Sequence, residues 1–238
     1  PVRRHWPPVS TLVAIDKTLF LETESETGEI VRYGVPIAAY PSEAGKVIVN
    51  SPGSGELKDG REDRWRNLGL YLQKRGLASL VTFNAPRPDF QVQLEWEPYS
   101  YQGASWNKIL IESLSHTIDW SLENAKELCG NASPDIYLTG FSSGGSSVGA
   151  VAYRYPSVKR ILLLSTYDSV GDPFYEGVTA FTGDIYLVYG DQDPMAGYLA
   201  RILRTGKFAA KSFLVREAPE CGHRFDGEAN TKLLTQAF

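Results

Sequence analysis

The sequence predicts an α/β fold built on one mostly parallel β-sheet. Short, almost continuously hydrophobic runs such as "KVIVN", "SLVTF" and "IYLVYG" recur along the chain, as expected of strands that are buried on both faces of a parallel sheet. Stretches with helical periodicity lie between the later runs. Because strands and helices alternate, we expect parallel strands joined by right-handed crossovers, with helices on both faces of the sheet.

Eight β-prone runs can be assigned along the chain. The first two are longer and more mixed in polarity than the others, which favours an antiparallel hairpin at the edge of the sheet. The six that follow are short and apolar. The predicted strands are residues 11–21, 30–39, 46–50, 78–83, 135–139, 159–165, 184–189 and 212–216.

The predicted helices fill the intervals between the later strands. The first two repeat apolar residues at helical spacing and close on Gly76 and Gly130, and glycine is the favoured residue just past a helix C-terminus. In such a sheet, ligands bind at the carboxyl ends of the strands. The predicted helices are residues 61–76, 106–130, a run that starts after residue 142, 196–205 and 228–238.

Composition indicates one domain and argues against several classes of partner. With 238 residues, 42% of them hydrophobic, we expect one domain over residues 1–238 with an N-terminal arm at 1–10. The net charge of -4 comes from 24 basic and 28 acidic side chains spread along the sequence, which argues against nucleic acid and anionic membranes as partners. No apolar run reaches the roughly 18 residues of a membrane span, and a cytoplasmic location is expected.

Two further sequence features have structural interpretations. The alternating charges of "ELKDGREDRWR", residues 56–66, are typical of a solvated helix start. Cys129 and Cys221 are expected to be buried free thiols, because two distant cysteines suit neither a disulfide framework nor a zinc site with paired spacing.

A candidate nucleophile follows the fifth predicted strand. Residues 140–144 read G-F-S-S-G, the G-x-S-x-G pattern that places a serine on a tight turn between a strand and a helix. Ser142 comes directly after the strand. A second match at 145–149 centres on Ser147, which would lie more than one turn inside the following helix, so we favour Ser142 as the nucleophile.

A serine nucleophile needs a base, and histidine is the side chain best suited to that role near neutral pH. The chain has three histidines. His5 lies in the N-terminal arm, and His116 lies in the middle of a predicted helix. His223 follows the last predicted strand, at the functional edge of the sheet, and is therefore our candidate for the base.

The histidine in turn needs a carboxylate to orient it. Asp191 and Asp193 both follow the seventh predicted strand. Asp191 comes directly after a glycine, where aspartate commonly bonds its own backbone in a turn, so Asp193 is the preferred acid and Asp191 the alternative. Asp168 and Asp172, after the sixth strand, are reserve candidates.

The order Ser142, Asp193, His223, together with a nucleophile elbow after the fifth strand, resembles the α/β-hydrolase superfamily over nearly the whole chain. The resemblance implies an eight-stranded, mostly parallel sheet with helices on both faces. The segment between the sixth and seventh strands is short, which implies a minimal lid. No cofactor and no metal would be required.

The resemblance also implies an oxyanion hole made of two backbone N–H groups. One comes from the residue after the nucleophile, here Ser143, and the other from the loop after the third strand. That loop reads "NSPGSGE", with Pro52 where the family usually has histidine. Residue by residue, Ser54 would supply the second N–H, with Gly53 as the neighbouring alternative.

An aromatic loop follows the fourth predicted strand and suggests a substrate pocket. Such long loops often carry function. Its aromatic residues either line an apolar pocket or seal the edge of the sheet. They are Phe90, Trp96, Tyr99, Tyr101 and Trp106.

The features together predict a serine hydrolase that cleaves carboxylic esters of small or medium apolar molecules. The same constellation also serves amide, thioester and lactone hydrolysis and acyl transfer, so fold and triad do not fix the reaction. A protein that kept this scaffold and binds a ligand without hydrolysing it is the alternative from a different class.

Overall fold

The structure is a computed structural model. It describes residues 14–25, 28–86, 106–227, 229, 230 and 232, together with the backbone of residues 92–93 and 98–99. Ten strands are assigned in these residues. They are β1 (Ile15–Glu24), β2 (Ile30–Tyr40), β3 (Lys46–Ser51), β4 (Ser79–Phe83), β5 (Val92–Gln93), β6 (Pro98–Tyr99), β7 (Asp135–Phe141), β8 (Val158–Leu164), β9 (Asp184–Gly190) and β10 (Ser212–Ala218).

Eight of these strands form the central sheet, in the order β1-β2-β4-β3-β7-β8-β9-β10. Strands β1 and β2 form an antiparallel hairpin, and β2 also pairs antiparallel with β4. All other neighbours in the sheet are parallel. The predicted architecture, including the hairpin at the edge, is therefore confirmed.

Helices cover both faces of the sheet, as predicted, although two details differ. The predicted helix 228–238 lies mostly outside the described residues and stays a prediction. The predicted helix 106–130 is interrupted at Asn124, which leaves helical geometry with φ −103° and ψ 16°. A helix at 172–180 was not predicted, although Pro173 stands at its start, where proline is favoured. The helices are α1 (Arg64–Arg75), α2 (Trp106–Glu123), α3 (Ala125–Cys129), α4 (Ser143–Val151), α5 (Asp172–Ala180) and α6 (Pro194–Thr205).

The core lies in two layers, one on each side of the sheet. The larger layer packs α2, α4, α5 and α6 against the strands. The smaller layer lies under α1 and includes Trp65, Phe141 and Phe225. Helices α1 and α3 end at Gly76 and Gly130 in the left-handed conformation, as predicted. Within the residues described, no helix has both the length and the apolar character needed to cross a membrane.

Candidate active site

Ser142 lies on a sharp turn between β7 and α4. Its backbone has φ 56° and ψ −124°, a sparsely populated conformation for a residue with a side chain, which costs of order 1–3 kcal/mol. The N–H of Ser142 donates to the carbonyl of Leu164 at the end of β8, and its own carbonyl accepts from Gly145. These two bonds hold the serine at the carboxyl end of the sheet.

The turn closes only because its flanking residues have no side chains. A Cβ at position 140 would lie 2.5 Å from the carbonyl oxygen of Gly144. A Cβ at position 144 would overlap the carbonyl oxygens of Ser51 and Pro52. All of these obstacles are backbone atoms, which cannot move aside as a flexible side chain can. The two glycines therefore allow α4 to start in contact with the loop after β3.

His223 is hydrogen-bonded to Ser142. Its Nε2 lies 3.0 Å from Ser142 Oγ, and its Nδ1 lies 2.7 Å from Asp193 Oδ2. With the proton on Nδ1, the imidazole donates to the carboxylate, and Nε2 is free to accept the serine proton. The side chain of His223 is 30% exposed, so a substrate can reach this edge of the ring.

Asp193 is almost completely buried, and both of its carboxylate oxygens accept hydrogen bonds. Its Oδ2 faces His223, and its Oδ1 accepts from the N–H of Ala196 as the N-cap of α6. Burial raises the pKa of this carboxyl, but the hydrogen bonds from His223 and from the Ala196 N–H outweigh burial, and the net pKa lies below the usual value. Asp193 is therefore held as a carboxylate beside the imidazole.

The alternative acids have other partners. Asp191 accepts from the N–H groups of Glu220 and Cys221 and so holds the start of the histidine loop. Asp168 accepts from the hydroxyl of Tyr175. Asp172 is exposed in the first turn of α5. Of the four carboxylates considered from the sequence, the structure brings Asp193 to His223.

The other candidate histidines and serine lie elsewhere. His116 is exposed on α2, and His5 falls outside the described residues. Ser147, the centre of the second G-x-S-x-G match, is buried inside α4, where its hydroxyl lies 3.0 Å from Ser51 Oγ and donates to the Gly144 carbonyl. The expectation that Ser147 points into packing is confirmed.

The two backbone segments predicted to form an oxyanion hole adjoin Ser142. Ser143 is the first residue of α4, so its N–H has no acceptor within the helix. A Cβ built on Gly53 would lie 3.5 Å from the Ser142 Cβ, so the turn after β3 adjoins the nucleophile. The Gly53 N–H donates to Glu56 Oε2. Ser54, the next residue, therefore remains the better candidate for the second donor.

Two charged residues near the site were misread from the sequence. Glu56 and Arg64 lie in the run interpreted as a solvated helix start, yet their side chains are only 12% and 9% exposed and form an ion pair. Burial lowers the pKa of the Arg64 guanidinium, and Glu56 opposes that shift. The sequence held one indication of this burial, since Glu56 lies two residues after Ser54, the predicted oxyanion donor.

The predicted pocket aromatics are placed only in part. Trp96 and Tyr101 lie outside the described residues, and Tyr99 is described only by its backbone in β6. Trp106 opens α2, packs against the larger core layer and donates its indole N–H to the Pro86 carbonyl. A role for this set in binding substrate stays a prediction.

A different cleft was not foreseen from the sequence. It has a volume of about 310 Å³ and is lined by Tyr167, Asp168, Pro194, Met195 and Tyr198. The ring centroid of Tyr167 lies 6.5 Å from that of His223. Met195 and Tyr198 are 53% and 61% exposed. This cleft therefore offers an apolar, accessible surface next to the candidate site.

Cys129 and Cys221 are buried free thiols, as predicted. Burial and the nearby Asp191 raise the pKa of the Cys221 thiol, which disfavours the reactive thiolate. Among the described residues, no group of three histidine, cysteine, aspartate or glutamate side chains is arranged to hold a metal ion.

The structure is similar to solved hydrolase structures over most of its length. Dienelactone hydrolase from Anabaena variabilis gives a TM-score of 0.65 at 15% identity, covering 93% of this chain and 94% of that one. Carboxyl esterase 2 from the mycorrhizal fungus Tuber melanosporum gives 0.60 at 15% identity, over 98% and 86%. An alpha-beta serine hydrolase homologue from Coxiella burnetii gives 0.57 at 17% identity, over 92% and 94%. No protein-family model and no curated protein matches the sequence. Similarity at this level of identity establishes the fold.

Proposed function

We propose that this chain, which has the α/β-hydrolase fold predicted from its motifs, is a serine hydrolase that cleaves carboxylic esters. The observation that carries the proposal is the continuous line of contacts from Ser142 Oγ to His223 and on to Asp193, at 3.0 Å and 2.7 Å. A nucleophile, a base and an orienting carboxylate within hydrogen-bond reach are the parts that acyl transfer to a serine needs.

The reaction would proceed in two halves. Ser142 Oγ attacks the ester carbonyl while His223 Nε2 takes its proton, and Asp193 stabilises the imidazolium that forms. The proton then passes to the departing alcohol, which leaves an acyl group on Ser142. Water attacks this acyl-enzyme with His223 again as base, releasing the carboxylic acid and restoring the serine.

The N–H groups of Ser143 and Ser54 would stabilise the oxyanion that forms in each half of the reaction. Each backbone donor of this kind typically lowers the barrier by about 3 kcal/mol. Both belong to turns next to Ser142, one at the start of α4 and one after β3. Besides the ester and one water molecule, the reaction so written uses side chains and backbone groups of this chain.

The substrate proposed is a small or medium apolar ester. Support comes from the cleft of about 310 Å³ beside His223, where Tyr167, Met195 and Tyr198 present aromatic and apolar surface.

Replacing Tyr167 with serine should reduce turnover of aryl and longer alkyl esters more than turnover of methyl esters. A parallel drop for all esters would count against this cleft as the substrate site.

A fluorophosphonate probe tests the proposal directly. We expect covalent labelling of the protein, with fragment mass spectrometry placing the label on Ser142 rather than on Ser143, Ser146 or Ser147 of the same peptide. Ser142→Ala should lose labelling and lower hydrolysis of p-nitrophenyl esters by about 10⁴-fold or more. Ser133→Ala, on an exposed turn before β7, is the matched control and should behave like wild type. Full ester hydrolysis by Ser142→Ala would reject the proposal.

A further inference from the structure

A buried ion pair lies between the two loops that frame the candidate site. Glu56 Oε1 accepts from Arg64 Nη2 at 2.6 Å, and both side chains are close to fully buried. Burying two charges is expensive, and such a pair adds little net stability compared with apolar residues of similar volume. A role other than net stability must therefore be sought in the contacts of the Glu56 carboxylate and of the Arg64 guanidinium.

The carboxylate end holds the turn after β3. Glu56 Oε2 accepts from the Gly53 N–H at 3.1 Å and from the Trp65 indole N–H at 3.0 Å. Glu56 Oε1 also accepts from the Arg61 N–H. Because Gly53 immediately precedes Ser54, the carboxylate fixes the turn that carries the proposed oxyanion donor.

The guanidinium end holds the histidine loop. Arg64 Nη1 donates to the carbonyl of Arg224 at 3.1 Å, and Arg224 directly follows His223. The Arg64 guanidinium carbon also lies 4.2 Å from the ring centroid of Phe141, which precedes Ser142. The Phe141 ring in turn packs against the His223 ring, with 5.3 Å between centroids.

We propose that the Glu56–Arg64 pair positions the oxyanion turn and the His223 loop relative to Ser142. The inference rests on the proposed function, since it concerns the same reaction. Among the described residues, neither Glu56 nor Arg64 is hydrogen-bonded to Ser142 or to the His223 side chain, so both are positioning residues. Together they join residues 53–56 to residues 223–224 across the nucleophile turn, through one side-chain contact.

The geometry requires a guanidinium at position 64. Its planar group donates from Nη2 to Glu56 and from Nη1 to Arg224, while its face stacks on Phe141. Lysine has a compact ammonium group on a flexible stem and cannot reproduce a flat, two-sided donor. Arg64→Lys should therefore keep the charge and lose much of the positioning.

Three variants, together with Arg64→Lys, separate positioning from stability. Glu56→Gln and Arg64→Met each leave one buried group without its partner. The double variant Glu56→Gln/Arg64→Met removes both charges, which is often neutral for stability. Glu62→Gln and Arg66→Met, at exposed positions of the same segment, serve as matched controls. Each variant is measured for Tm, for the rate of fluorophosphonate labelling at Ser142, and for kcat and KM on p-nitrophenyl acetate.

If the pair positions the two loops, the variants should change Tm and the reaction rate at Ser142 to different extents. The single variants should lose both. The double variant should regain part of the lost Tm, because no charge is left unpaired but the Gln amide accepts on only one of the two sides that the carboxylate serves. It should still label and turn over about 10- to 100-fold more slowly, with KM little changed. Arg64→Lys should likewise keep its Tm and react slowly. The control variants should match wild type in both measurements.

Three results would overturn the inference. A double variant that regains Tm and rate together would show that the pair is only structural. If the double variant does not fold, Arg64→Lys decides, and wild-type labelling by that variant rejects positioning. If the wild-type protein itself is not labelled at Ser142, the proposed function fails and the inference fails with it. That outcome is distinguishable from the first two, in which the wild-type protein reacts.

Discussion

The nucleophile turn and the histidine loop, residues 140–145 and 219–227, are held in place by different means. The nucleophile turn is buried, and backbone atoms leave no room for a side chain at Gly140 and Gly144. The histidine loop is partly exposed, and side chains from elsewhere in the sequence hold it. Close backbone packing and backbone hydrogen bonds hold the first region, whereas the second depends in addition on side chains from distant parts of the sequence.

The two regions differ in which parts of the sequence determine their positions. A pentapeptide and the strand before it determine the position of Ser142. The position of His223 depends on Asp191, Asp193 and Arg64, which are 30 to 160 residues away from their partners in sequence. Substitutions in the two regions should therefore differ in kind, with stability most affected in the first and reactivity in the second.

The largest effect is expected from Asp193→Asn. Loss of the carboxylate removes the group that orients His223 and stabilises its charged form, so kcat on p-nitrophenyl acetate should fall by about 10⁴-fold. Asp168→Asn is the matched control, since Asp168 bonds Tyr175 instead, and it should retain activity close to wild type. Retained activity in Asp193→Asn together with lost activity in Asp168→Asn would instead assign the orienting carboxylate to Asp168, after β8.

Gly144→Ala and Gly222→Ala test the steric difference between the two regions. A Cβ at Gly144 would overlap backbone oxygens, and its cost should be about 3 kcal/mol or more of unfolding free energy. A Cβ at Gly222, in the histidine loop, would have no atom within 4 Å, and its cost should stay within about 0.5 kcal/mol. Urea unfolding measures the free energy of unfolding of both variants. Equal losses would contradict the claim that the nucleophile turn is packed more tightly than the histidine loop.

Asp191→Asn tests whether side-chain acceptors hold the histidine loop. Each carboxylate oxygen of Asp191 accepts one backbone N–H, whereas an amide accepts at only one of these positions. We expect a loss of about 1–2 kcal/mol and a fall in kcat that exceeds any change in KM. Asp184→Asn, whose partners Ser212 and Arg160 lie at the opposite end of the strands, should lower stability without changing kcat.

The smallest effect concerns acid stability. Because the pKa of Asp193 is lower in the folded protein than its usual value, its carboxylate stabilises the fold above about pH 4, the ordinary aspartate pKa. This contribution is lost as pH falls through the folded-state pKa. Unfolding free energies measured from neutral to acid pH should therefore fall less steeply for Asp193→Asn than for wild type. Parallel curves would mean that Asp193 does not carry this contribution.

The sequence predicted the parts of the molecule that local pattern determines. Each strand of the central sheet from β3 onward was recognised from its apolar run, whereas the short pair β5 and β6 lies in a segment predicted to be a loop. The order of Ser142, Asp193 and His223 predicted which loops would meet. The structure brings those three side chains into hydrogen-bonding distance. Their catalytic roles remain proposals.

The parts that the sequence did not predict depend on distant contacts. Arg64 is covered by contacts with Phe141 and Arg224, and Glu56 by its partners Gly53 and Trp65. An alternating charge run does not reveal these contacts. Helix α5 was missed because its sequence is short and holds Gly177, which packs close to the backbone of α4. In both cases tertiary packing overrides the local pattern.

The two oxygens of Asp193 have a consequence for how this site can change over evolution. One oxygen faces the imidazole and the other caps α6, so the length of this side chain is fixed from two directions at once. Exchange for glutamate would shift one contact or the other by the length of a methylene group. A lineage that moved the acid to another strand would first have to give α6 a new cap, which should make the aspartate at this position slow to be replaced.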